Sequence, residues 1–274
     1  MAGPPPRDGI TYSDYLKIPE LLELQQCEVP EAHDEMQFIV VHQVYELWFR
    51  LIMHEVDHIA ELFRRGTDVD LRNATRLCRR IHRIFLVLVD QIHVLESMRP
   101  SDFLAFRSAL NPASGFQSVQ FRELEAAMGL RDERLASFTA GDPRHGALRA
   151  RMAAPSVSDA LYEALRARGH DVRTPTESRS DAEQDSTLEA LRVIYDAPDD
   201  HPLEYELCEA LVEIDEQVVL WRRHHVMMVE RHMGDKPGTG KGTTGDLDGI
   251  RYLKTTLMRK AFPDLWAVRS ILTD

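Results

Sequence analysis

Residues 33–58 read HDEMQFIVVHQVYELWFRLIMHEVDH. We predict one long helix here, ending near Arg65 and Gly66, where glycine can form the C-terminal cap. Phe38 and His42 are four residues apart, so they share a face of this helix and can line one pocket. The same segment ends in H-E-x-x-H, the pattern of zinc proteases. It therefore supports two competing hypotheses about the site.

Composition excludes several classes of protein. The 274 residues carry a net charge of −12 without a run of basic residues, which argues against nucleic acid as a partner. The cysteines, Cys27, Cys78 and Cys208, are few and far apart, which indicates a reducing compartment. No apolar run has the length of a membrane span, and the N-terminal residues lack the apolar part of a signal peptide. We expect a soluble, cytoplasmic protein that binds a small molecule.

Helix signals dominate the rest of the chain, so we predict a single all-helical domain over residues 10–274 after a flexible tail at 1–9. Ser101 is the expected N-terminal cap of a short helix that carries Phe103 and Arg107. Residues 169–181 are predicted to form a loop. The other helices are predicted near 19–26, 70–98, 117–128, in several short pieces up to 168, at 202–233 and at 250–260.

The H-E-x-x-H pattern permits a metal site. His54 and His58 could bind one zinc ion while Glu55 acts as a base. A third protein ligand is not apparent in the sequence. The alternative is a helix surface on which these side chains are solvated.

The glycine-rich segment 238–245 resembles a phosphate-binding loop only superficially. Asp235 and Gly242 occupy the positions where that motif needs a glycine and a serine or threonine. Two interpretations stay open, a flexible lid over a site and an ordinary loop.

The predicted helix at 202–233 carries His225 on its apolar stripe. This histidine is either a satisfied core residue or an axial ligand of a haem that lies between helices. Arg107 has a similar ambiguity. It is a surface residue, or it points inward and needs a carboxylate from the protein or a ligand.

Several segments, in this order along the chain, resemble the tryptophan 2,3-dioxygenases of the haem-dependent indole dioxygenase superfamily. The resemblance covers nearly the whole chain. The matching segments are Thr11-Tyr12 with Tyr15-Leu16, residues 33–48, Phe106-Arg107 with residues 112–118, residues 220–222 with His225, and residues 238–240.

The resemblance implies an all-α, bundle-like domain that encloses haem b and assembles into an intertwined homotetramer. It implies an enzyme that uses dioxygen as co-substrate to cleave the indole C2–C3 bond of L-tryptophan, giving N-formyl-L-kynurenine in the kynurenine route. His225 falls at the position of the axial ligand to the haem iron. His42 falls at the position of a catalytic histidine that accepts the hydrogen bond of the indole N–H.

The resemblance also assigns binding roles to other positions. Those for the substrate are Phe38 against the indole, Phe103 in the same pocket, Arg107 on the carboxylate, Thr239 on the amino acid group, and Tyr12, Tyr15 and Leu16 from a neighbouring subunit. Ser114 and Gly115 match a turn beside the haem.

One departure leaves the substrate open. The family's lid commonly reads GTGGSSG, whereas residues 238–245 read GTGKGTTG. An alternative is therefore a specialised haem oxygenase that acts on a modified tryptophan, such as a methylated one, in secondary metabolism and inserts a single oxygen atom. A haem-binding sensor without turnover and the H-E-x-x-H zinc hydrolase are the other hypotheses.

Overall fold

All regular secondary structure in the described part of the chain is helical. A computed structural model describes residues 9–111, 113, 115–137, 139–175, 179–234, 236 and 249–273. Within these residues there are thirteen α-helices, three short 3₁₀ helices and no strand, which confirms the all-α prediction. The α-helices are α1 (Tyr12–Leu16), α2 (Ile18–Leu21), α3 (Glu35–Arg65), α4 (Asp68–Glu96), α5 (Pro100–Arg107), α6 (Val119–Met128), α7 (Glu133–Ser137), α8 (His145–Ala153), α9 (Val157–Ala167), α10 (Asp181–Asp196), α11 (Pro202–Met233), α12 (Gly249–Thr256) and α13 (Pro263–Ala267).

Three long helices form the core. Helix α4 packs along both α3 and α11. Ile52 on α3, Leu88 on α4 and Leu211 on α11 are almost completely buried. Full burial of one such side chain contributes about 1.5–3 kcal/mol, so the apolar stripes of these helices account for much of the stability. Among the described residues, no helix is both long and apolar enough to cross a bilayer.

A tight connection joins α3 to α4. Gly66 ends α3 with a φ of 66°, and its N–H donates to the Leu62 carbonyl at 3.0 Å. A left-handed φ favours glycine because a Cβ is disfavoured there. Thr67 then caps α4, since its hydroxyl accepts from the Asp70 N–H at 3.2 Å. The predicted cap at Gly66 is confirmed, and the two helices are placed side by side.

Helix α6 is buried along its whole length, including its charged residues. Arg122 donates to Glu125 within the helix at 2.5 Å, and Arg222 of α11 donates to the same carboxylate at 2.7 Å. Glu123 is paired with Arg144. A buried charge is costly unless it is paired, so α6 depends on its neighbours.

The segment after α12 is attached to α11 through a buried carboxylate. Asp215 is only 2% exposed and accepts from the backbone N–H groups of Ala261 and Phe262 at 2.8 and 3.0 Å. It also accepts from the indole N–H of Trp266 at 3.3 Å. Burial raises the pKa of Asp215, and these three donors only partly offset that effect.

Helix α10 was not predicted, because its sequence is mostly polar. It begins with a capping box between Ser180 and Glu183. Its buried face is narrow and consists of Thr187, Leu191 and Ile194. The predicted loop at 169–181 therefore ends where this helix begins. The loop prediction includes residues 176–178, which lie outside the described residues.

Other boundaries differ from the prediction by a few residues. The helix expected near 19–26 is confined to Ile18–Leu21, and the one expected at 250–260 ends at Thr256. Helix α5 starts at Pro100 with Arg99 as its N-cap, so the predicted cap at Ser101 was wrong. Proline is favoured in the first turn of a helix because it lacks a backbone N–H, and an N–H at that position would have no partner within the helix. The division into a tail and one domain stays a prediction, and residues 1–8 lie outside the described part.

Two histidines meet where the chain after α9 contacts the start of α11. The rings of His170 and His201 are 5.2 Å apart. Burial lowers the pKa of His170, and the His201 ring and Arg168 act in the same direction. The folded protein therefore favours the neutral form of His170.

We predict that this pair makes the protein sensitive to acid. As pH falls below about 6.5, the unfolded chain binds a proton at this site more readily than the folded one, so stability decreases. The His170→Gln variant should lose less stability between pH 7.5 and 5.5 than the wild type in thermal melts. His54→Gln, at an exposed site, is the control, and equal losses in all three proteins would contradict the prediction.

Candidate active site

A cavity of about 660 Å³ is lined by residues of α3, α4, α5, α6, α11 and α12. This volume is in the range of small-molecule sites. The cavity brings together six of the residues selected from the sequence, although they come from distant parts of the chain. They are Phe38, His42, Phe103, Arg107, Gly115 and His225.

Aromatic rings form one wall of the cavity. The Phe38 ring lies 4.0 Å from the His42 ring, 5.9 Å from Phe103 and 5.5 Å from Phe106. Phe103 and Phe106 are nearly perpendicular, with centroids 5.5 Å apart. Aromatic rings prefer such edge and offset contacts, and they offer faces to a flat ligand. This wall suits an aromatic molecule.

His42 is a neutral hydrogen-bond acceptor. Its Nδ1 is 2.7 Å from the carbonyl oxygen of Phe38. A carbonyl oxygen only accepts, so Nδ1 carries the hydrogen. Burial lowers the pKa of His42, although the Phe38 carbonyl and Glu46 oppose this effect. The accessible part of the ring faces the cavity, and Nε2 of the neutral ring keeps a lone pair.

His225 is also neutral. Burial, together with the nearby His42 and Arg122, lowers its pKa to about 4. Its ring lies parallel to that of Trp221, with centroids 5.5 Å apart and an angle of 11°. Trp221 in turn packs on Phe121 at 4.9 Å. The histidine is thus held by an aromatic cluster and has a nitrogen lone pair available to a metal.

The charged side chains that line the cavity carry a net positive charge, whereas the net charge of the whole protein is negative. Four cations and two carboxylates line it, whereas the chain carries a net charge of −12. A cavity with excess positive charge favours an occupant with anionic groups. The cations are Arg107, Arg122, Arg222 and Lys236, and the carboxylates are Glu46 and Glu125.

Glu125 links α6 to Arg222 of α11, and Arg222 in turn contacts the residues after α12. Glu125 accepts from Arg122 and from Arg222. Arg222 also donates to the backbone carbonyl of Arg259 at 2.9 Å, just after α12. The sequence did not predict this network, because Glu125 and Arg222 are 97 residues apart.

Glu46 fixes the turn beside the cavity to α3. The Ser118 hydroxyl donates to Glu46 at 2.6 Å and also caps α6 by accepting from the Phe121 N–H. Gln120 donates to the same carboxylate at 2.9 Å. Glu46 follows His42 by one helical turn, a spacing that could have identified it in the sequence.

Some of the predicted site residues are not part of this cavity. Tyr12 and Tyr15 are 77% and 74% exposed on α1, and Leu16 is 42% exposed. Ser114 and Thr239 lie outside the described residues, as does the glycine-rich segment 238–245.

The H-E-x-x-H residues face in different directions. His54 and His58 are exposed. Glu55 is only 4% exposed and pairs with Arg80 at 2.5 Å, so the expectation of a solvated glutamate was wrong. Among the described residues, no three histidine, cysteine, aspartate or glutamate side chains are grouped to hold a metal ion. The geometry gives the zinc hypothesis no support.

Comparison with known proteins agrees with the resemblance found in the sequence. The tryptophan 2,3-dioxygenase family model matches residues 5–169 and 151–272. A tryptophan 2,3-dioxygenase of Anaeromyxobacter sp. (strain K) is 45% identical over 265 residues, 96% of this chain and 97% of the relative. Those of Herpetosiphon aurantiacus and Bacillus cereus are 40% and 35% identical, over 96% and 97% of this chain and 99% and 94% of their own lengths. The chain therefore belongs to the tryptophan 2,3-dioxygenase family.

Proposed function

We propose that the chain catalyses the cleavage of the indole C2–C3 bond of L-tryptophan by dioxygen, giving N-formyl-L-kynurenine. The observation that carries this proposal is one cavity that combines a neutral histidine acceptor, an aromatic wall and Arg107. These groups match the N–H, the flat ring and the carboxylate of tryptophan. The relatives named tryptophan 2,3-dioxygenase support the same substrate.

The cavity fits haem b. His225 is neutral and could bind the iron through a ring nitrogen, and the cationic side chains of the wall complement the propionates. Gly115 lines the cavity and, with Ser114, would contact the haem. When bound, the haem supplies the reaction with dioxygen, the co-substrate.

The protein's own contribution is to orient the substrate. Arg107 would hold the carboxylate by paired hydrogen bonds, and His42 Nε2 would accept from the indole N–H. Phe38 and Phe103 would lie against the ring. Indole C2–C3 is electron-rich, so His42 acts by positioning more than as a general base. Thr239 would contact the amino acid group.

The proposal includes a homotetramer. Helix α1 has no buried residue, although Tyr12, Tyr15 and Leu16 are largely apolar. Apolar side chains grouped on a surface are typical of contacts with another chain. These side chains would reach into the pocket of a neighbouring subunit. We further propose that the assembly is cytoplasmic.

The decisive experiment identifies the product of the reaction. Haem-loaded, reduced protein given L-tryptophan and ¹⁸O₂ should form N-formyl-L-kynurenine with two labelled oxygens, measured by mass spectrometry. A product with one labelled oxygen, or turnover confined to a methylated tryptophan, would replace the proposal with the specialised oxygenase. A protein that binds haem but transforms no indole would contradict enzymatic function.

Haem binding should depend on His225. In the His225→Ala variant we expect the Soret absorption of the purified protein to be lost or strongly reduced, because the nitrogen proposed to bind the iron is removed. His224→Ala, one residue earlier on α11, is the matched control and should keep the absorption. An unchanged Soret band and unchanged haem content in the His225 variant would show that another residue binds the iron.

Arg107 should recognise the carboxylate of the substrate. Arg107→Lys keeps the charge but loses the paired geometry, so we expect KM for L-tryptophan to rise about tenfold, the effect of about 1.4 kcal/mol. The kcat should change less. The exposed Arg83→Lys serves as control.

Tryptamine, which lacks the carboxylate, gives a second measurement for the same variant. Its affinity should be equally weak in the wild type and in Arg107→Lys. If the variant weakened tryptamine as much as tryptophan, Arg107 would act through the structure of the site and not through the carboxylate.

A further inference from the structure

His232 lies in the wall of the same cavity, two helical turns after His225, and the proposed reaction does not use it. It is only 7% exposed. Its Nδ1 is 2.8 Å from the carbonyl oxygen of Met228, and its Nε2 is 3.1 Å from the carbonyl oxygen of Met98. Both ring nitrogens therefore face acceptors.

The number of hydrogens on the ring decides how many of these contacts are hydrogen bonds. A carbonyl oxygen can only accept. A ring with a hydrogen on each nitrogen donates to both carbonyls, whereas a ring with one hydrogen donates to one of them. The second bond is thus present only in the doubly protonated ring.

The two carbonyls belong to different parts of the fold. Met228 lies in α11, one turn before His232, so that contact is local. Met98 lies between the end of α4 and Pro100, the first residue of α5. Donation to Met98 therefore attaches the start of α5 to the end of α11.

Helix α5 carries two of the residues proposed to contact the substrate, Phe103 and Arg107. The His232 ring also meets the Phe103 ring edge-on, with centroids 6.0 Å apart and an angle of 77°. A displacement of α5 would move both residues relative to His42 on α3. Small displacements of positioning groups have large effects on binding and rate.

We propose that His232 is a positioning residue, whose ring lies between the Met228 and Met98 carbonyls and holds α5 against α11 so that Phe103 and Arg107 meet the substrate. The proposal rests on the proposed function for the identity of that substrate. The attachment itself is independent of it.

The charged groups on the surrounding elements pair with one another. Glu230 pairs with Lys254 at 2.5 Å, and Arg99 pairs with Asp102 at 2.7 Å. Glu96 is 2.9 Å from His93 and 3.7 Å from Arg231. Arg107, His225 and Lys236 line the same cavity as His232.

The kinetic test compares haem-loaded wild type, His232→Gln and His232→Leu at one pH. In both variants KM for L-tryptophan should be about three- to tenfold higher than in the wild type, with kcat within about twofold of the wild type. Glutamine, which keeps one donor, should retain the fold if leucine does not.

His54→Gln, the same substitution at an exposed site, controls for a general effect of removing a histidine and should follow the wild type. A His232→Gln variant with the same KM for L-tryptophan as the wild type would overturn the proposal while leaving the dioxygenase function intact.

Hydrogen exchange tests the attachment without turnover. At one pH near 6, the backbone amides of residues 99–107 should exchange faster in His232→Gln than in the wild type, and those of α9 should not change. Equal exchange in 99–107 would overturn the proposal. Faster exchange in a protein that does not transform tryptophan would retain the attachment and reject the proposed function.

Discussion

Desolvation of two imidazoles that line one cavity is the constraint on which the rest of the site depends. Desolvation disfavours the charged form of a histidine, and the pKa of His225 falls to about 4. Each pKa unit corresponds to about 1.36 kcal/mol of preference for one form. The neutral ring of His42 keeps a lone pair for a hydrogen bond, and that of His225 keeps one for the proposed metal bond, while Glu125 pairs with Arg122 and Arg222 of the wall.

Helix α11 combines core and site in one element. Its apolar stripe packs on α4, and the same helix carries Trp221, Arg222, His225 and His232 to the cavity. Because a helix is stiff, the position of His225 is fixed by packing that extends several turns away. The geometry of the cavity can therefore be well defined although its walls come from six helices.

Local patterns in the sequence predicted the helices and part of the site. Apolar spacing placed α11 at its observed bounds, and the four-residue spacing of Phe38 and His42 placed both in one cavity. The polar α10 lacked such a pattern. The partners Glu125 and Arg222 could not be predicted either, because nothing local relates residues 97 positions apart. The hydrogen on Nδ1 of His42 follows from a backbone carbonyl that only the folded helix places beside it.

The pairing of α6 also bears on how the chain is made. During synthesis the residues of α6 leave the ribosome long before Arg222, and the carbonyl of Arg259 that holds Arg222 follows later still. Until then, Glu125 can pair with Arg122 but not with Arg222, and the Arg259 carbonyl that holds Arg222 is missing. We expect the cavity to be completed only when nearly the whole chain has emerged, so that a truncated or stalled chain would not bind the proposed haem.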